Sequence, residues 1–153
     1  MLDLSAAFDT IDQNILLTRL SSTYGVTGSA LSLLSSYLLN RSQSVTINQN
    51  TSSSSTITTG VPRGSVLGPL LFSLYTSPIS QIYENSLISF HLYADDTQLY
   101  ISFSASDSDS ALSQLTTTLD ATYTWLTANR LCVNPSKTDY ILQTHRATVF
   151  NHK

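Results

Sequence analysis

Asp95 and Asp96 stand side by side in the stretch Ile88 to Phe103, and this carboxylate pair is where the chain could do chemistry. Like charges that close raise each other's pKa unless a cation holds both ionised. A bound cation is the group that such a pair could take. The flanking residues say what must position the pair. Ile88, Phe90 and Leu92 alternate with Ser89 and His91 on the approach, and Leu99, Ile101 and Phe103 alternate with Gln98, Tyr100 and Ser102 on the exit. Period two on both sides of a short polar break predicts two antiparallel strands and a tight turn, with the carboxylates at its tip. Asp is also simply a good turn residue, so an isolated Asp-Asp turn carries no function by itself.

Three other stretches change that weighting. They are Leu2-Asp3-Leu4-Ser5-Ala6-Ala7-Phe8-Asp9, then Gly60-Val61-Pro62-Arg63-Gly64-Ser65-Val66-Leu67-Gly68-Pro69, and then Trp125-Leu126, Leu131 to Asn134 and Lys137-Thr138. With Tyr93-Ala94-Asp95-Asp96 they resemble, in order and at fitting separations, four motifs of the reverse transcriptases. In the same order these are the first catalytic motif, the template and nucleotide loop and the segment after the hairpin, with the Tyr93 stretch as the catalytic hairpin. The resemblance is to the enzymes of non-LTR (LINE-type) retrotransposons and runs from Asp3 to about Ile141. Each motif alone is weak or moderate; the ordered set is strong.

The resemblance implies an α+β polymerase palm, a small antiparallel sheet with helices packed on one face, and RNA-directed DNA polymerase activity. The implied partners are an RNA template, a DNA primer and dNTP substrates, and the implied cofactor is a pair of Mg2+ ions, with Mn2+ possible. Asp3, Asp95 and Asp96 become the metal-holding carboxylates, Asp3 and Asp95 bridging both ions and Asp96 the weaker third. The Leu4 carbonyl assists, Phe8 lies under the incoming sugar, and Arg63, Gly64 and Tyr93 line the nucleotide. Lys137 becomes a candidate proton donor to the leaving pyrophosphate. Arg63 departs from the usual Gln of the family. Arg can contact phosphate, and decay of an inactive element would explain the change equally well.

Plain structural readings stand beside these. Asp3 could be a helix cap, Phe8 a core residue at a strand-to-helix turn, and Lys137 a solvated loop residue. Asp9 and Asp12 are better explained as caps than as ligands. His91, His145 and His152 have no metal-ligand spacing, and His91 is expected on the polar side of its strand.

The chain has 153 residues, 41% of them hydrophobic and only 11% charged, so one domain with a proper core is possible. Its single cysteine, Cys132, excludes an internal disulfide and fits an intracellular setting, cytoplasmic or nuclear. No apolar run is long enough to span a bilayer. Net charge is −3 and the pI about 5.3, whereas a protein that grips nucleic acid alone is normally basic. With Met1 directly ahead of the first motif, this suggests that the fingers are missing. Residues 1–145 are expected to be a partial palm, inactive in isolation, with a frayed tail over 146–153. The alternative is a catalytically silent remnant or a nucleic-acid or protein-binding scaffold.

The elements follow from periodicity. Asp9 to Asp12 resembles a capping box before a helix through Ile15, Leu16 and Leu20 to Gly25. A second helix carries Ala30, Leu34, Tyr37 and Leu38. Val45, Ile47 and Ile57 mark strands around a loop over Asn48 to Ser55. A helix begins near Ser65 with Pro69 in its first turn and Leu70, Leu71, Leu74 and Tyr75 packed. Another carries Leu112, Leu115, Leu119, Tyr123 and Leu126 on one face and ends near Asn129. Leu131 to Val133 and Tyr140 to Leu142 are the last strand candidates.

Overall fold

The computed structural model describes residues 1–62, 64–141 and 143. Its elements in chain order are β1 (Leu4–Ser5), α1 (Ala7–Thr10), α2 (Gln13–Ser22), α3 (Gly28–Leu38), β2 (Arg41–Gln43), β3 (Thr46–Ile47), β4 (Asn50–Thr51) and β5 (Ser55–Ile57). After these come α4 (Leu67–Thr76), α5 (Ser80–Glu84), β6 (Ser89–Tyr93), β7 (Asp96–Tyr100), α6 (Ser108–Ala128) and β8 (Cys132–Val133). Helices and short antiparallel ribbons are mixed, an α+β arrangement.

The predicted hairpin forms as β6 and β7, paired in register from Ser89↔Tyr100 to Tyr93↔Asp96. Ala94 and Asp95 make the turn, with Ala94 at φ 51°. A second ribbon joins β1 to β8, Leu4 opposite Val133 and Ser5 opposite Cys132. One backbone pair connects the two ribbons. The Leu2 amide donates to the Thr97 carbonyl at 2.7 Å, and the Thr97 amide returns the bond to Leu2 at 2.9 Å. This isolated bridge sets the residues just ahead of β1 beside β7, while β1–β8 and β6–β7 remain separate ribbons.

The core lies between these strands and the helices. Leu71, Phe72 and Tyr75 of α4 are buried against Leu16 and Leu20 of α2, with Tyr83, Leu126 and Leu131. As predicted, α4 carries Pro69 in its first turn. The Ser65 hydroxyl accepts from the Gly68 amide at 3.0 Å, which caps the helix start. Leu70, expected to pack, is exposed.

Several expectations need correction. Asp12 is itself the cap of α2, its carboxylate accepting from the Asn14 and Ile15 amides at 2.9 and 3.0 Å, and the short α1 stands where a capping box was read. The stretch Asn48 to Ser55 is not all loop: Asn48 and Gln49 at φ 47° and 68° make a tight turn between β3 and β4 (Asn50–Thr51), and β5 begins at Ser55. Asn tolerates left-handed backbone, which allows a two-residue connection. On α6, Leu112 and Tyr123 are exposed, and Ala111, Thr118, Thr122 and Leu126 are buried. The helix approaches closely enough that small residues, Thr among them, face inward. The Thr122 hydroxyl is satisfied by donating to the Thr118 carbonyl at 2.7 Å. Tyr140 and Ile141 are exposed and outside any strand. Leu142 and the expected tail 146–153 lie outside the described residues.

Gly60 fastens the loop before α4 to the turn after β1. Its amide donates to Ile11 at 2.7 Å, the Val61 amide to Phe8 at 3.0 Å, and the buried Gln13 side chain to the Gly60 carbonyl at 3.1 Å. Gly60 has φ +80°, and an added Cβ would lie 3.0 Å from the Asp9 Cα and carbonyl oxygen. Gly64, at φ +70°, has open space around it. Gly60→Ala should therefore cost on the order of 3 kcal/mol from strain plus displaced backbone, and Gly64→Ala about 1 kcal/mol from strain alone. Urea unfolding of the two variants measures the difference, and equal losses would refute the close-approach argument.

Candidate active site

Strand alternation decides which side chains meet. Leu2 is buried and with Leu4, Leu92, Tyr83 and Leu126 lines an apolar crevice behind the hairpin. Asp3 therefore points to the opposite side of its strand. Leu2 and Thr97 pair as an isolated antiparallel bridge, and that register continued by one residue would set Asp3 across from Asp96. Such a pair, next to one that exchanges both backbone bonds, has Cα atoms about 4.5 Å apart. Asp95 sits one residue beyond, in the turn, half-buried like Asp96.

Asp3, like the other two, is half-buried. Its side chain is 13% exposed, and its Oδ1 is buried without a hydrogen-bond partner. Lys137 Nζ lies 4.0 Å from that oxygen. A buried carboxylate oxygen without a donor is costly, and a cation is the group that relieves it. A carboxylate oxygen is a hard donor, which suits a divalent ion such as Mg2+. To that extent the residues present fit such an ion. Among the described residues, however, no group of three or more His, Cys, Asp or Glu side chains is gathered closely enough to hold a metal.

The other predicted site residues fall around this pair. Tyr93 faces solvent opposite Asp96 and is 74% exposed. Leu4 is paired with Val133 in the neighbouring ribbon. Phe8 is half-buried and stacks on Phe72, ring centroids 4.7 Å apart, so its core role is real. Gly64 is exposed at the end of the loop clamped by Gly60. Arg63 lies outside the described residues. The structure thus draws Asp3 and Lys137 together, bridges the residue before Asp3 to the hairpin that carries Asp95 and Asp96, and leaves Phe8 and Gly64 on a separate turn and loop.

One supporting cluster was not anticipated. Arg19 of α2 donates to the Tyr75 carbonyl and, at 2.6 Å, to the Asn129 side chain. Its guanidinium lies 5.0 Å from the Tyr75 ring centre and 5.5 Å from that of Trp125. The Tyr75 hydroxyl donates to the Asn129 carbonyl at 2.6 Å. Burial lowers the Arg19 pKa and raises that of Tyr75. The cluster fixes the end of α6, and hence β8, the strand that pairs with the Asp3 strand. The available signal was a lone Arg between Leu16 and Leu20 in an otherwise apolar stripe.

The Reverse transcriptase (RNA-dependent DNA polymerase) family model matches residues 1–150. Over 150 residues, 90% of this chain, the sequence is 33% identical to a Drosophila melanogaster protein named "Probable RNA-directed DNA polymerase from transposon BS". The chain spans 15% of that relative's length.

The register can be checked by cross-linking. In a Cys132→Ser background, Asp3→Cys with Asp96→Cys should form a disulfide on mild oxidation, since the expected Cα separation is within bonding range. Persistent free thiols in the folded variant would contradict that register. The buried phenols give a second check. Burial raises Tyr75 and, against a smaller opposing contribution from Thr122, Tyr83. Their contribution to stability is complete below the unfolded tyrosine value of about 10 and is lost as pH rises through the higher folded values. Phenolate absorbance should show a late-ionising class that coincides with alkaline unfolding. Titration of every tyrosine near the unfolded value, with no loss of structure, would count against it.

Proposed function

The chain belongs to the reverse transcriptase (RNA-dependent DNA polymerase) family, and from that premise we propose that it is the palm region of a non-LTR (LINE-type) retrotransposon polymerase. The reaction proposed is RNA-directed addition of dNTPs to a DNA primer by nucleotidyl transfer. Bound Mg2+ or Mn2+, two ions, would supply neutralisation of charge on the attacking and leaving oxygens. Residues 1–145 form the proposed palm unit.

The observation that carries this reading is the Leu2–Thr97 pairing, which brings the Asp3 strand beside the Asp95-Asp96 hairpin. Asp3, Asp95 and Asp96 are proposed to hold the ions, with the Leu4 carbonyl assisting. Phe8 would lie beneath the incoming sugar while it anchors the turn on Phe72. Arg63, the Gly64 backbone and Tyr93 would border the nucleotide, Gly64 because its lack of Cβ lets a ligand approach the chain. Lys137 Nζ would hold the proton given to the leaving pyrophosphate.

A second reading is a catalytically silent remnant that binds nucleic acid or protein as a scaffold. It is favoured by the net charge of −3 and by the failure of three acidic side chains to converge among the described residues. On the combined reading the chain is inactive by itself. Primer extension on a defined RNA template, with dNTPs and Mg2+, compares wild type with Asp95→Ala plus Asp96→Ala. The expected result is equal, background extension from both folded proteins. Extension by wild type that vanishes in the double variant would overturn the claim of inactivity and support polymerisation by this chain alone. The metal assignment has its own test, because Mn2+ uptake should fall in the double variant; equal uptake would sink it.

A further inference from the structure

We infer that Lys137 is a resident counter-cation for Asp3, one that an incoming divalent ion must displace. The inference rests on the proposed metal role of Asp3 and adds a competitor to it.

Three observations carry it. First, Asp3 Oδ1 is buried and accepts no hydrogen bond, so the carboxylate needs positive charge nearby. Second, Lys137 Nζ is 4.0 Å away, whereas a direct charge-assisted bond would be about 2.8 Å. The two groups attract without being locked together. Third, the Lys137 side chain is 67% exposed while the backbone below it is tied down.

That tie is specific to the Asp3 strand. The Asn134 amide donates to the Asp3 carbonyl at 2.8 Å, and the Asp3 amide donates to the Thr138 hydroxyl at 3.5 Å. Within the turn, the Lys137 amide donates to Asn134 at 3.2 Å and the Thr138 hydroxyl to the same carbonyl at 2.8 Å. The Asn134 side chain accepts from the Ser136 amide at 3.1 Å. The stem of Lys137 is therefore held within reach of Asp3, and its charged head can leave into solvent. A lysine whose work lay solely at the leaving phosphate would not need to sit against Asp3 in a nucleotide-free chain.

The test is Mn2+ titration of the nucleotide-free 153-residue chain at low ionic strength, with free Mn2+ read by electron paramagnetic resonance. Lys137→Met should bind Mn2+ about three- to fivefold more tightly than wild type, the scale expected of a partly exposed ion pair. Lys137→Arg should stay near wild type, since it keeps the charge. Lys137 is exposed, so neither change should disturb folding, and circular dichroism checks this. Equal or weaker binding by Lys137→Met, with wild-type binding still dependent on Asp3, overturns the counter-cation and leaves the metal site standing. Binding that survives Asp3→Asn, or that is absent from both wild type and Lys137→Met, overturns the metal reading and this inference with it.

Discussion

Two backbone hydrogen bonds between Leu2 and Thr97 hold the rest of the arrangement in place. β1–β8 and β6–β7 are separate two-stranded ribbons, and isolated ribbons are marginal in water. With these bonds the start of the chain lies against a hairpin far along the sequence. The loop-closure entropy of that contact grows only slowly with length, and burial of Leu2 against Leu92, Tyr83 and Leu126 offsets it. The same burial fixes register. A slip of one residue would turn Asp3 into the apolar crevice and Leu2 toward the carboxylates, an exchange unfavourable on both sides.

The helices secure the two neighbours of that strand from behind. On one side, Gly60 and Gln13 bind the Gly-rich loop to the turn that follows β1, so the loop and the aspartate share a foundation. On the other, Arg19, Tyr75 and Asn129 join α2, α4 and the end of α6, which determines where β8 begins. Arg19 has been taken partly out of water, and its depressed pKa reflects that cost. It is compensated by two acceptors and two aromatic faces, so the cluster holds position without needing a carboxylate.

The parts of this fold readable from sequence were those with strong periodicity. Phe90, Leu92 and Leu99 predicted the hairpin, and Pro69 with Leu71 and Tyr75 predicted α4, because alternation and helical spacing map directly onto one buried face. α6 was read as a leucine face; Leu126 is buried and Leu115 and Leu119 are half-buried, but Ala111, Thr118 and Thr122 are buried too while Leu112 and Tyr123 are exposed. The ribbon after α3 hid in a Ser- and Asn-rich stretch whose strands bury almost nothing. At the site, Asp3, Asp95 and Asp96 were visible as residue types in motifs. The Leu2–Thr97 bridge that brings the Asp3 segment beside the hairpin was not, because chain neighbours far apart in sequence leave no local trace. The contact of Lys137 with Asp3 was equally hidden: it depends on the Asn134 turn folding back on the first strand.

Charge explains why the site is built this way. Carboxylates that face phosphate repel it, so a polymerase palm needs cations at the moment of reaction and an accessible carboxylate face before it. Of the seven Lys and Arg residues in the chain, Arg19 is folded against tyrosine and tryptophan, and Lys137 stands over Asp3. Neither is spread along a surface that could follow a nucleic-acid backbone, and the net charge of −3 points the same way. On the proposed reading, then, neither of these two cations supplies affinity for template and primer. Among the described residues, Lys137 is the basic side chain that stands against the Asp3 carboxylate, at 4.0 Å.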